Sequence, residues 1–440
     1  MMKKRGSFWV TVILFSLIGQ VAWVVENMYF NVFIYNMFGA SAEDISLMVG
    51  ASSVAATLTT LLVGALSDKV GKRKIFITGG YILWGVSILG FALVRTDVIG
   101  AIFPTATSVS AICITIAIIL DCVMTFFGSS ANDACFNAWL TDVTEEKSRG
   151  AVEGVNAMMP LMAILVVFGG FMAFDLREQS SWVTIFMVIG IVVIIVGVLS
   201  IFLVKDDVKT VEGQDSSYFK NIIYGFRPSV IKANPVLYLT IIAFAIFGIS
   251  IQVFMPYLIL YYEVSLGMAD YVFIMAPAII IAGIVTAVYG RYYDKVGFVG
   301  SIIPSLISLS AGYVVLSIFT DTVLVFVGSL LMMIGYLTGM AVFGAMIRDN
   351  TPIGKVGVFQ GLRIVGQVLI PGIIGPMIGA MLLANADTIV GSDGVTNFVP
   401  NQSIFVGALV VVVLVVACVL VLGRVIKNKS REALDDTNAN

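Results

Sequence analysis

Long apolar runs separated by short polar clusters are the main pattern of the 440-residue chain. Most runs reach about 20 residues, the length that an α-helix needs to cross the hydrocarbon core of a bilayer. Backbone groups in hydrocarbon must pair within their own segment, so uninterrupted apolar runs predict helices and not strands. We predict twelve spans, near residues 8–36, 44–66, 74–95, 106–131, 151–174, 181–204, 236–262, 270–290, 298–319, 322–346, 358–384 and 403–424.

A hydrophilic stretch from Lys205 to Lys232 divides the spans into two sets of six. It is rich in carboxylates and lysines, which favour water over hydrocarbon. We therefore predict an all-α membrane protein of two pseudo-symmetric six-helix bundles. The predicted parts are an N-terminal bundle over 1–204, a cytoplasmic linker over 205–235, a C-terminal bundle over 236–427 and a short cytoplasmic tail over 428–440.

The distribution of Lys and Arg predicts the orientation of the spans, because positive residues are retained on the cytoplasmic side. With the N-terminus inside, every Lys and Arg except Arg95, Arg177 and Arg363 falls in a tail or a cytoplasmic loop. We therefore expect a multi-pass protein of the cell membrane with both termini in the cytoplasm.

The two halves of the chain share repeated segments. GALSDKVG at 64–71, after span two, is matched by GRYYDKVG at 290–297, after span eight, at a separation of 226 residues. A second pair, 142–150 and 349–357, follows spans four and ten at a separation of 207 residues. Such repeats indicate a duplicated unit, and parallel repeats predict a substrate path between the halves, near the bilayer midplane.

Composition excludes several classes of protein. Hydrophobic residues make up 59% of the chain and charged residues 12%, which is too apolar for a soluble fold. A net charge of −2 argues against a nucleic-acid partner. The chain has no His, so any proton chemistry must use carboxylates. We expect no metal, no cofactor and no enzymatic activity, and we expect the four cysteines to serve as packing residues: Cys113, Cys122, Cys135 and Cys418.

Two loops carry a family resemblance. GALSDKVGKRK, residues 64–74, resembles the signature loop between helices two and three of the major facilitator superfamily. LTDVTEEKSRG, residues 140–150, resembles that superfamily's loop between helices four and five. The resemblance implies two six-helix bundles, secondary transport, and a gate where glycine allows close helix approach and where Asp68 and the basic loop residues form charge contacts. The gating residues that it implies are Gly64, Asp68, Lys69, Gly71, Arg73, Asp142, Arg149 and Asp294.

Span one carries a finer resemblance. Gly19-Gln20-Val-Ala-Trp23 resembles the G-Q-x-x-W pattern in the first helix of the sucrose/proton and glycoside/cation symporters. Gln20, Trp23, Asn27 and Asn31 recur at spacings of three and four, which predicts one shared helical face. Carboxamides can donate and accept hydrogen bonds, and an indole can cover the apolar side of a sugar. This face is predicted to bind a hydroxyl-rich solute; alternatively, its amides only hold helices together.

Ionisable residues inside spans cost at least about 2.5–3.5 kcal/mol on insertion scales, so they usually face a cavity or a partner. Glu26 in span one and Asp121 in span four are candidate coupling acids, because a carboxylate in a wet cavity can take up and release a proton. Either could instead be permanently paired. Arg363 in span eleven is either a fixed cation for the substrate or an acid, or a side chain that reaches the cytoplasmic interface.

Spans seven and eleven offer further polar residues and prolines. Pro256 and Pro371 remove backbone hydrogen bonds and predict bendable helices. The expected substrate site is completed on these spans by Gln252, Tyr257, Tyr261, Gln360 and Gln367.

The leading hypothesis is a monomeric symporter of a sugar or glycoside, with a small-molecule substrate, a co-transported proton or sodium ion and the bilayer as partners. An alternative is a drug or lipid exporter that works by cation exchange, for which 29 Phe and 20 Met would provide an adaptable cavity. A third hypothesis is a membrane receptor that keeps the transporter shape without transport.

Overall fold

The computed structural model describes residues 2–144, 149–205, 225–268, 270–352, 361–390 and 396–438. Long helices dominate these residues, as the apolar runs predict. Eleven of the described helices are long and apolar enough to cross a membrane. Spans one to six are Gly6–Phe38, Ala42–Gly64, Arg73–Phe91, Val109–Val143, Gly154–Phe171 and Gln179–Leu203. The later helices are Pro235–Ser265 for span seven, Val272–Ile318, Thr322–Asn350 for span ten, Gly361–Leu383 for span eleven and Ser403–Asn428 for span twelve.

The 47-residue helix Val272–Ile318 contains two predicted spans, eight and nine. Its backbone is non-helical at Gly297, where φ is 71° and ψ is −174°. A residue without a Cβ adopts this φ readily, so the glycine of the repeated segment separates the two spans. With this break, the eleven long helices agree with the predicted twelve spans.

Several helices extend beyond their predicted bounds. The helix of span two runs on to Val70, that of span five begins at Arg149, and that of span twelve continues to Asn438. Span four was predicted to end at residue 131, but it continues to Val143. The prediction ended the span at its polar residues, whereas Ser129, Ser130 and Asn132 are buried inside the protein.

Four spans contain π-helical turns. These turns are Val25–Tyr29 in span one, Ser129–Phe136 in span four, Tyr261–Ser265 in span seven and Val365–Leu369 in span eleven. Span seven also has a 3₁₀ turn, Met255–Tyr257, at Pro256. An inserted residue in a helix frees backbone groups and redirects side chains, and π turns are frequent at functional sites.

Short elements outside the spans were not predicted. Helix Thr96–Ile102 lies between spans three and four, and helix Pro228–Ala233 precedes span seven. The all-α prediction also missed an antiparallel ribbon between spans eleven and twelve, formed by β1 (Thr388–Val390) and β2 (Thr396–Phe398). In the ribbon the polar backbone of a short extramembrane loop pairs with itself.

The described chain forms two compact units. The first comprises Met1–Asp215, Pro256–Ser265 and Ala386–Val399, and the second comprises Ser216–Met255, Leu266–Asn385 and Pro400–Asn440. Within the first, Gly85 of span three approaches span six so closely that a Cβ would lie 2.6 Å from the carbonyl oxygen of Gly190. Small residues of this kind let helix backbones pack closely in a bilayer, where apolar burial gives little driving force.

Each unit has its own aromatic core. In the first, Trp182 packs between Phe33 and Phe186, with ring centroids 5.2 Å and 5.8 Å away. In the second, Phe343 stacks on Phe244 at 5.3 Å. The predicted boundaries of the two bundles and of the linker remain predictions, and residues 206–224 of the linker lie outside the described residues.

Candidate functional site

Glu26 is the centre of the candidate site. It lies in the π-helical turn of span one and is only 6% exposed. Its Oε1 accepts hydrogen bonds from Ser52 Oγ of span two and from Thr125 Oγ1 of span four, both at 2.8 Å. The two hydroxyl oxygens are 3.0 Å apart. Three spans therefore meet at one carboxylate oxygen.

Asp121, one turn before Thr125 on span four, is the second acid of the site. It is 2% exposed and lies within electrostatic range of Glu26, with Ser52 beside it. Oε2 of Glu26 and Oδ1 of Asp121 are buried and have no hydrogen-bond partner among the described residues. Two buried carboxylates this close cannot both be charged without a large free-energy cost unless a proton or cation lies with them. The pair can therefore hold one positive charge.

The structure brings together two acids that sequence reasoning had named separately. Their link through Ser52 was not predicted. The residues that follow Asp121 on span four at spacings of three and four are buried as well: Thr125, Gly128, Asn132 and Cys135.

The polar residues predicted to share one face of span one have different surroundings. Gln20 and Trp23 are half-buried, Asn27 is exposed and Asn31 is buried. The π turn between them rotates the residues that follow it, so the spacing of a regular helix does not hold. Asn27 Nδ2 donates to the carbonyl oxygen of Trp23 at 2.7 Å, and Asn31 Nδ2 donates to that of Asn27 at 3.5 Å. Both amides are therefore partly satisfied by their own helix, and their part in substrate binding remains a prediction.

Trp23 forms a tryptophan pair with Trp84 of span three, with ring centroids 5.0 Å apart. Gly128 of span four fits against both rings, since a Cβ there would lie 2.7 Å from Trp84 and 3.0 Å from Trp23. The carboxylate of Asp133 lies near the Trp23 indole. Sequence reasoning did not single out Asp133 as a site residue, because the predicted span four ended at residue 131 and left Asp133 outside it.

The other predicted binding residues belong to spans seven and eleven. Tyr257 is buried, and its hydroxyl donates to the carbonyl oxygen of Ala42 at 3.0 Å, while Tyr261 is also buried. Gln252 packs directly against Gly375 of span eleven. On span eleven, Arg363 Nε donates to Gln367 Oε1 at 3.1 Å. Gln360 lies outside the described residues.

Two of the predicted gating residues, Arg73 and Asp142, form an ion pair in the first unit. Arg73 Nε lies 2.5 Å from Asp142 Oδ2, and its Nη1 donates to Ser67 Oγ at 3.1 Å. Gly71 ends the helix of span two with φ 67°, which turns the chain toward Arg73. The other implied residues are more dispersed: Gly64 is half-buried, Lys69 and Asp294 are exposed, and the side chains of Asp68 and Arg149 lie outside the description.

The equivalent place in the second unit has a different contact. Tyr293, which matches Ser67 in the repeat, donates its hydroxyl to Asp349 Oδ2 at 2.7 Å. Asp349 matches Asp142, and Val299 stands where the first half has Arg73. A neutral hydrogen-bond donor therefore replaces the arginine.

Comparison with solved structures identifies the fold. A mutant of the nucleoside transporter NupG has a TM-score of 0.71 and 11% sequence identity, covering 94% of this chain and 99% of that one. A bacterial homologue of the human lysosomal transporter Spinster gives 0.70 and 16%, covering 96% and 97%. The xylose transporter XylE from E. coli gives 0.66 and 14%, covering 95% and 98%. At these identities the likeness concerns the fold alone.

A search of curated proteins finds no match. The profile of the Major Facilitator Superfamily, in contrast, matches residues 11–337, a stretch that begins within span one and ends within span ten. These structural neighbours are transporters and not enzymes. The chain therefore belongs to the Major Facilitator Superfamily.

Proposed function

We propose that this protein is a secondary active transporter that moves a sugar or glycoside, coupled to a proton or sodium gradient by alternating access. The observation that carries the proposal is the buried Glu26–Asp121 pair, in which each acid has one oxygen without a hydrogen-bond partner among the described residues. A bound cation or proton would relieve the repulsion between the acids, and its release would restore the repulsion. A proton or cation that binds one conformation of the transporter better than the other shifts the equilibrium between the two conformations, as coupling requires.

Two observations support a hydroxyl-rich substrate. Gln20 and Trp23 of span one are half-buried, so part of each side chain can meet a solute. Structures of a xylose transporter and a nucleoside transporter resemble this one over almost their whole length. Both kinds of substrate carry several hydroxyl groups, which match the donors and acceptors of carboxamides.

The substrate class can be tested by thermal unfolding of the purified protein with sugars, glycosides and hydrophobic cations at several pH and sodium values. A ligand that binds the folded state raises its stability in proportion to its occupancy. We expect a neutral saccharide to raise the melting temperature. Stabilisation by hydrophobic cations alone would contradict the sugar assignment and favour the exporter alternative.

The coupling role is tested with the stabilising saccharide in proteoliposomes. Glu26→Gln keeps the size of the side chain but removes its charge, so we expect loss of accumulation against a gradient while exchange without a gradient continues. Asp121→Asn should show the same separation. Unchanged gradient-driven uptake in Glu26→Gln would overturn the coupling assignment.

Asp97 provides the matched control. Its exposed carboxylate accepts hydrogen bonds from Arg95 at 2.9 Å and 2.6 Å, and this contact lowers the pKa of Asp97. Asp97→Asn makes the same kind of change at a residue outside the membrane spans. We expect it to leave accumulation unchanged.

A further inference from the structure

Asp133 is a third acid of the first unit, beyond those used in the proposed coupling. It lies in the π-helical turn Ser129–Phe136, twelve residues after Asp121 on the same span. At 1.5 Å per residue, this is about 18 Å nearer the predicted cytoplasmic end of span four. Ser129 Oγ donates to its Oδ2 at 3.1 Å.

The surroundings of Asp133 connect it to the coupling site. Glu26 of span one and Tyr81 of span three both face it within electrostatic range. Trp23 lies between Gln20 and Glu26 along span one, and its indole borders the Asp133 carboxylate. Tyr81 itself donates its hydroxyl to the carbonyl oxygen of Phe15 at 3.1 Å.

Unpaired polar atoms mark the same region. Trp23 Nε1 and Asn132 Nδ2 are buried and have no hydrogen-bond partner in the described part of the chain. Asn132 is 3% exposed, and its amide packs onto Gly19 of span one. Buried polar atoms are normally paired, and ordered water is the usual partner where protein groups are missing. Together with Glu26 Oε2, these atoms outline a polar route along spans one and four.

We propose that Asp133 is a second proton-carrying residue, which exchanges protons with Glu26 through water on the predicted cytoplasmic side of the coupling site. The inference rests on the proposed function and identifies its coupling ion as a proton. In the exchange, the Glu26 carboxyl loses a proton to water and the Asp133 carboxylate gains one from water; no other bond changes. The N–H groups of Trp23 and Asn132 can stabilise a carboxylate but cannot ligate sodium.

Tryptophan fluorescence offers a test that needs no substrate, because Trp23 lies beside Asp133. We expect the emission of the purified protein to change with pH, and we expect Asp133→Asn to abolish that change. Trp23→Phe should remove the same pH-dependent change in emission. Asp133→Glu should retain a pH-dependent change, and Asp97→Asn should leave the change as it is in the wild type.

The electrostatic effect of Glu26 on Asp133 provides a second test of the same fluorescence titration. Removing a neighbouring negative charge makes an acid easier to deprotonate, so Glu26→Gln should move the midpoint of the fluorescence titration to lower pH. A titration in Asp133→Asn identical to that of the wild type would overturn the inference. So would a midpoint that Glu26→Gln leaves unchanged.

The two proposals fail in distinguishable ways. If Glu26→Gln abolishes gradient-driven uptake but Asp133→Asn changes neither uptake nor fluorescence, the coupling assignment stands and the role of Asp133 is wrong. If Glu26→Gln leaves uptake unchanged, the coupling assignment is wrong whatever the fluorescence shows.

Discussion

The Ser52 hydroxyl occupies a special position between two acids. It donates to Glu26 Oε1, lies 3.0 Å from the Thr125 hydroxyl and borders Asp121. A hydroxyl so placed can donate to whichever neighbour is charged. Ser52 therefore helps to set the free energy of deprotonating Glu26 or Asp121.

We predict that Ser52→Ala destabilises the protein by about 1–3 kcal/mol, because it leaves a buried charged acceptor short of a donor. It should also weaken coupled uptake. Ser53→Ala is a matched control, since the Ser53 hydroxyl donates only to the Val49 carbonyl of its own helix, at 2.8 Å. Thermal unfolding and uptake should separate the two variants; equal effects would mean that Ser52 is an ordinary helix serine.

Sequence reasoning could find the acids of the site but not the residues that join them. Glu26 and Asp121 stand out because a carboxylate in a membrane span is costly. Ser52 and Ser53 are adjacent and chemically identical, and only tertiary packing shows which of them reaches another span. The environment of Asp133 likewise depends on Trp23 and Tyr81, which are distant in sequence.

Gly128 gives a steric prediction. A Cβ there would lie 2.7 Å from Trp84 and 3.0 Å from Trp23, so Gly128→Ala must displace an indole. Overpacking of this kind typically costs about 1–3 kcal/mol. Gly169→Ala is the control, because its Cβ would meet nothing within 4 Å. A melting temperature lowered by both substitutions to the same extent would contradict the packing described for the tryptophan pair.

At the scale of elements, the two repeated segments share a backbone conformation at their last glycine. The positive-φ residues of the described chain are Gly39, Gly71, Gly267 and Gly297. Gly71 and Gly297 close the repeated segments GALSDKVG and GRYYDKVG, with φ of 67° and 71°. The duplication thus preserves the turn that ends a helix, which explains why the sequence predicts a break between spans eight and nine.

Gly297→Ala should therefore destabilise the protein, because a left-handed conformation costs an L-residue about 1–2 kcal/mol. Gly290→Ala, in the same repeated segment, is the control: it lies in regular helix and its Cβ would meet nothing within 4 Å. There, alanine should be neutral or stabilising by up to about 1 kcal/mol. The sign of the difference in thermal unfolding tests whether Gly297 is a turn; two stabilising substitutions would contradict it.

The π-helical turns were beyond sequence reasoning. A turn such as Val25–Tyr29 differs from regular helix by one inserted residue, and its apolar pattern has no distinctive signal over five residues. The hydrogen bonds that Glu26 accepts from spans two and four stabilise this turn only once the helices have packed. The inserted residue interrupts the regular spacing from which a shared face of span one was predicted.

At the scale of the whole molecule, hydropathy and duplication predicted the fold. Apolar length identified the spans, and the repeat related the halves, because both features depend on residue patterns and not on individual contacts. The ribbon of β1 and β2 was missed, since strands of three residues leave no periodic signal. Orientation, ion and substrate remain predictions.

Duplication also relates two loop contacts that differ in charge. The first unit joins Arg73 to Asp142 by an ion pair, with side chains 12% and 28% exposed. The second joins Tyr293 to Asp349 by a hydrogen bond from a neutral phenol. Both contacts have a carboxylate acceptor, but only the ion pair adds the attraction between opposite charges. The contact in the first unit should therefore be the more strongly held.

The same substitution at equivalent positions tests this asymmetry. Asp142→Asn removes the charge that faces Arg73 and should lower the stability of the protein by about 1.5–3 kcal/mol, whereas Asp349→Asn should lower it less. Because salt screens ion pairs at partly exposed sites, the effect of Asp142→Asn should shrink between low and high ionic strength. The smaller effect of Asp349→Asn should change little, since a phenol carries no charge to screen. Thermal unfolding of the wild type and the two variants at two salt concentrations measures the loss of stability and its salt dependence. Equal losses with equal salt dependence would show that the two contacts are equally strong.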